Sequence, residues 1–152
     1  MKFSDIEAVQ WKELQPYLDT CILPVTGMDG SEEPWQATDA LEALRDVLDL
    51  IEVPFRGRVV TYPAFHYFGT GQAAAAGLAL LEELCERLRL SGFRYIVLVS
   101  AASKELAVGL ESASGSDLLI HMTREELCDP EVDAKRAVAA MLTALWNGRQ
   151  SV

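Results

Sequence analysis

Imidazole, basic charge and paired cysteine are all scarce in this chain. It holds two histidines, His66 and His121, among 152 residues. A catalytic zinc normally takes several nitrogen or sulfur ligands, so such a site would be short of donors here. Cys21, Cys85 and Cys128 are odd in number, widely spaced and in no C-x-x-C pair. That excludes a disulfide framework or a thiolate zinc site and predicts free, mostly buried thiols. Thirteen Lys and Arg stand against 23 Asp and Glu, for a formal net charge of -10 and a sequence pI near 4.6. Such a surface repels phosphate backbones and anionic lipid heads, so nucleic acid is not an expected partner. The longest strongly apolar run, "AAAAGLALL" at 73–81, is far short of the ~20 residues a spanning helix needs. The start "MKFSDIEAVQ" has no apolar stretch after its lysine, which predicts neither signal peptide nor membrane anchor and places the protein in the cytoplasm. Familiar nucleophile patterns are missing too. There is no G-x-S-x-G elbow, no S-x-x-K and no Walker lysine, and "SAASK" sets Ser100 and Ser103 near Lys104 at other spacings.

What is present is ordinary globular material, half apolar and 24% charged. A chain of this length sustains one hydrophobic core, and the reading is a single α/β domain over 1–148 with a tail at 149–152. "SDIE" at 4–7 fits a capping box opening a helix that runs to about Gln15. "TCILPV" at 20–25 reads as a strand buried on both faces. Thr38 or Asp39 caps a helix carrying Leu41, Leu44, Leu48 and Ile51 at helical spacing. "RVVTYP" at 58–63 is the second strand, the alanine-rich stretch to Ser91 a long helix, and "FRYIVLVS" at 93–100 the third strand. "SKELAVGLES" predicts a short helix, "DLLIHMT" at 117–123 a fourth strand, and Val138, Met141, Leu142 and Leu145 the last helix. Strands alternating with helices imply right-handed crossovers and hence a three-layer α/β/α sandwich with a mainly parallel sheet of about four strands. Ligands in such sheets bind beyond the carboxyl ends of the strands, which directs attention to the loops at 26–38, 64–72 and 101–104 and to the residues after Thr123.

Three groups of residues on those loops carry chemistry. The acidic loop offers Asp29, Glu32, Glu33 and Asp39 as hard oxygen donors, with His66 on the next loop as an imidazole, a set suited to a divalent cation. The same acids serve equally as solvated loop residues, and Asp39 as a helix cap. "GTGQAA" at 69–74 matches the dinucleotide pattern literally. Six residues separate it from the preceding strand, however, where the mechanism needs a tight turn, so an ordinary turn before a helix is the simpler reading. "TYPAFHYFGT" gathers Tyr62, Phe65, His66, Tyr67 and Phe68, either as a pocket floor and contact patch or as an apolar plug over the sheet end. His121 is read as a core histidine bonded to backbone.

"ILPVTGMDGSEEPWQATDALEALRDVL", "VVTYPAFHYFGT" and "LRLSGFRYIVLVSAASKE" together resemble, in order over about 22–105, the creatininase-like amidohydrolases. In that family an I-L-P-V strand leads into a G-S-x-E-x-H-G loop and a G-T-D, and a later strand ends in N-G-H-G-G-N. The resemblance implies a creatininase-like fold, homo-oligomeric assembly and a dinuclear metal centre with ligands from these loops. Asp39 keeps the aspartate and Asp29 stands for the glutamate with one gap. The loop histidine is replaced by Ser31 or Glu32, and Ala102 stands where the later histidine would be. Alanine binds no metal, so the expectation is a relative without its catalytic centre. It would have no cofactor and would bind a small molecule or a protein through Asp29, Glu32, Asp39, Tyr62, His66, Tyr67, Ser100 and Ser103. The alternative is a Zn- or Mn-dependent amidohydrolase using Asp29, Glu32, Asp39 and His66. The chain as a whole, including "YLDTCILPV" and "FRGRVVTYPAFHYF", is also similar to the small bacterial YpiF-like family, whose function is unknown.

Overall fold

The computed structural model describes residues 1–69, 71–113 and 115–148. Two apolar runs build its centre. β1 (Thr20–Met28) and β4 (Tyr95–Ser100) are buried along almost their whole length, as strands covered on both faces must be. They pair in parallel from Thr20↔Tyr95 to Pro24↔Val99. On the far side of β4 lies β5 (Leu118–His121), also parallel. On the far side of β1 the partner is divided. β2 (Val59–Thr61) pairs with the start of β1, and β3 (Phe65–Tyr67) pairs with its end at Val25↔Phe65 and Met28↔Tyr67. Pro63 sits in the gap; the Tyr62 N–H reaches the Ile22 carbonyl and the Thr61 N–H the Met1 carbonyl, so position 63 faces away from β1, where proline costs the ladder no bond.

Side-chain alternation sends Cys21, Leu23, Ile96 and Leu98 to one face, against Leu81 and Cys85 of α3 (Gln72–Leu90) and Leu110 of α4 (Lys104–Glu111). It sends Ile22, Val97, Val99 and Ile120 to the other, against Val47 and Ile51 of α2 (Pro34–Glu52) and Val138 and Leu142 of α6 (Ala134–Gly148). The result is the three-layer sandwich with a parallel sheet. It has five strands rather than four, because part of the aromatic loop is β3. Two of the cysteines, Cys21 and Cys85, are buried, while Cys128 is exposed, and all three are free.

Other boundaries also differ from the sequence expectation. The helix after the acidic loop begins at Pro34, with Glu33 as its N-cap and proline in the first turn, a position where the missing N–H is harmless. Asp39 therefore lies in the second turn and caps nothing, and the Thr38 hydroxyl donates to the Pro34 carbonyl at 3.1 Å. At the amino end, Phe3–Asp5 forms a 3-10 turn and α1 (Ala8–Leu14) starts behind Glu7, which pairs with Gln10. Neither uses Ser4 as a cap. A short helix, α5 (Arg124–Cys128), follows β5. Thr70 of "GTGQAA" and the tail at 149–152 lie outside the described residues.

A half-buried ion pair ties the end of α3 to the sheet. The Asp117 side chain is 2% exposed, and its Oδ2 accepts from Arg89 Nη2 and from the Ile96 N–H, each at 2.8 Å. Arg89 also donates to the Arg94 and Gly115 carbonyls. Removing the carboxylate takes the acceptor from the Ile96 N–H, while Arg89, a third exposed, keeps its two carbonyls, so Asp117→Ala is expected to cost about 2 kcal/mol of stability. Urea unfolding of the two proteins checks this. A loss below about 1 kcal/mol would mean that water replaces the carboxylate freely.

Candidate functional site

The crevice of this fold follows from its winding. The connection leaving β1 packs α2 on one face, whereas the connection leaving β4 packs α4 on the opposite face. The two chains diverge beyond the carboxyl ends of adjacent strands, which is where parallel sheets hold ligands. A cleft of about 380 Å³ opens there. One wall is the end of β1, at Gly27 and Asp29. A second is the β3–α3 turn, at Phe68, Gly69 and Gly71, and a third is the start of α4, at Ser103, Glu105 and Leu106. The 380 Å³ falls in the lower part of the range of small-molecule sites.

The acidic loop is largely self-satisfied. The Asp29 carboxylate accepts the Ser31 hydroxyl at 2.5 Å and the Ser31 N–H at 2.9 Å. The Ser31 hydroxyl first, and then its N–H, hold the Asp29 carboxyl below the usual aspartate range. Glu32 accepts the N–H groups of Asp29 and Gly30, and Glu33 accepts the Trp35 indole N–H at 3.1 Å. Asp39 is exposed on α2, and it is its backbone carbonyl that takes Arg124, at 3.2 Å. His66, on β3, has Nδ1 at 2.9 Å from the Thr26 hydroxyl. Among the described residues no three His, Cys, Asp or Glu side chains gather as metal ligands. Asp29, Glu32, Asp39 and His66 are therefore not brought together as a set.

The remaining candidates divide. Ser103 reaches the cleft and caps α4, its hydroxyl accepting the Leu106 N–H at 3.4 Å. Ser100 is fully buried, and its hydroxyl accepts the Ala102 N–H at 3.2 Å. His121 Nε2 stands 2.6 Å from the Ala102 carbonyl; a carbonyl only accepts, so this nitrogen carries the proton. Ser100 and His121 thus clamp both backbone groups of Ala102 and fix the turn from β4 into α4. Tyr62 belongs elsewhere. Its ring stands edge-on to Phe93 at 5.4 Å and lines a separate groove of about 240 Å³ with Phe3, Ile6 and Trp11. Burial pushes its phenol up from the usual range. Tyr67 projects from β3 into solvent, 65% exposed.

Sequence reasoning did not single out Gly27, Glu105, Leu106 or Gly109, all of which line the cleft. The available signal was Gly27 itself, a glycine inside an apolar β-branched run, which marks a bulge or a close approach.

Fold and cleft together define a parallel α/β sandwich with a small-molecule-sized crevice at its switch point. Residues 9–108 match the family model described as protein of unknown function (DUF2487), and the chain belongs to that family. No curated protein and no solved structure matches it.

Proposed function

We propose that this protein is a cytoplasmic, non-catalytic binding module whose cleft beyond β1 and β4 receives a small molecule or an element of a protein partner. The observation that carries this reading is the cleft's position at the switch point, with a volume suited to a small ligand. Two further features support it. The carboxylates of Asp29 and Glu32 are engaged by N–H groups of their own loop, and Ala102, at the end of β4, offers no donor where the creatininase-like pattern has a histidine. A creatininase-like relationship, kinship with the YpiF-like family and homo-oligomeric assembly belong to the same proposal and rest on the sequence resemblance.

A library of small metabolites titrated against ¹⁵N-labelled protein tests the reading. Ligands are expected to shift the amides of Gly27, Phe68, Ser103 and Leu106. Shifts confined to the groove of Tyr62 and Trp11 would move the site elsewhere. The rival reading, a Zn- or Mn-dependent amidohydrolase, predicts a thermal shift with either ion that is lost in Asp39→Ala, because a ligand of the folded state raises its stability. That shift, together with amide hydrolysis, would replace the binding-module reading.

A further inference from the structure

One residue of the cleft has no structural reason for its identity. Gly109 lies inside α4, and its φ is not positive. A Cβ built there meets no atom within 4 Å. Glycine in a helix interior lowers stability relative to alanine, and nothing in the packing requires it at this position. The space it leaves empty is the cleft. Gly27, Gly69 and Gly71 differ, since each has a positive φ that accounts for glycine by itself.

Charge narrows what the space would hold. Among the described lining residues, Asp29 and Glu105 carry the ionisable groups, and both are acidic. The amino ends of α3 and α4 also open here, each equivalent to roughly half a positive charge. Two full carboxylates outweigh them, leaving the cleft negative by about one charge, on a chain whose formal net charge is -10. Anionic ligands are disfavoured. Phe68, Ala74 and Leu106 supply apolar contact beside the acids.

We propose that the cleft binds a small organic ammonium compound, its cationic end towards Asp29 and Glu105 and its apolar body against Phe68, Ala74 and Leu106, in the space that Gly109 keeps open. This rests on the cleft-binding reading above and names its ligand class.

Three probes of one shape test it. Phenethylammonium, 2-phenylethanol and 3-phenylpropionate are titrated at low salt into ¹⁵N-labelled protein, following the amides of Gly27, Leu106 and Gly109. The ammonium is expected to give saturable shifts, with the alcohol about fivefold weaker and the carboxylate weaker still. The Asp29→Asn, Glu105→Gln double variant is expected to bring the ammonium to the level of the alcohol. Gly109→Leu should abolish binding of both, while Gly109→Ala raises Tm and weakens the ammonium. Equal binding of ammonium and alcohol, or ammonium binding untouched by the double variant, would overturn the ligand class and leave the binding cleft standing. No saturable shift from any probe would also overturn the ammonium proposal, and the binding module would then stand or fall by the metabolite library.

Discussion

Trp146→Ala is expected to destabilise the native state by about 4 kcal/mol, the magnitude of deleting a large buried aromatic. The residue is 6% exposed on α6, and its indole joins three elements at the amino ends of the strands. Phe55 meets it edge-on at 5.2 Å, and the Arg58 guanidinium stacks 4.2 Å from the ring centroid. Its Nε1–H donates to the Thr20 hydroxyl at 2.9 Å. That hydroxyl donates in turn to Asp19, which holds Arg58 through two nitrogens at 3.1 and 3.2 Å. The ring of contacts closes on itself, so alanine would remove packing and leave the Arg58 face uncovered. Trp146→Phe keeps most of the apolar area and loses the indole donor, and is expected to cost about 1.5 kcal/mol. Urea unfolding checks both values. Equal losses in the two variants would mean that the hydrogen bond to Thr20, and not the ring packing, docks α6.

This network also shows where sequence reasoning stops. β4 and α3 were legible because each signal is local. "YIVLVS" is an unbroken apolar run, and Leu81, Cys85 and Leu88 recur on one helix face. The pairing of Trp146 with Thr20 spans 126 positions, and no local pattern announces it. β3 escaped for another reason. Three residues beside a proline and a glycine carry no periodicity, and they form a strand because β1 presents a free edge beyond the end of β2. The acidic stretch was legible as a polar loop, but its boundary was not. Proline at position 34 looks like part of the loop, whereas at the first turn of a helix it is favourable. The same shift took Asp39 out of the loop and onto α2. Within the site, Asp29 and Ser103 were anticipated at the cleft. Gly109 was not, because it reads as an unremarkable helix residue until the space beside it is seen.

Gly27 joins the fold to the cleft, and Gly27→Val is expected to cost about 4 kcal/mol, combining left-handed strain with overpacking. Its φ is +80°, which a β-branched residue adopts poorly. A Cβ there would overlap Leu106 Cδ2 and come within 3.1 Å of the Ala102 Cβ. Leu106 and Ala102 belong to α4 and to the turn before it, and that turn is fixed by Ser100 and His121. It has little room to yield. The Leu106 methyl is the far end of a flexible side chain and can turn aside, which reshapes the cleft wall, whereas the Ala102 Cβ has no such freedom. Two measurements separate the components. Gly27→Ala, with the same Cβ but no branch, is expected to lose about 3 kcal/mol in urea unfolding. Pairing it with Leu106→Ala, which removes the overlapped methyl, is expected to lose less than the sum of the two single changes, because the main overlap vanishes while the backbone strain and the tight approach to Ala102 persist. Strict additivity would mean that α4 does not rest on Gly27, and that the wall of the cleft formed by Leu106 is held by other contacts.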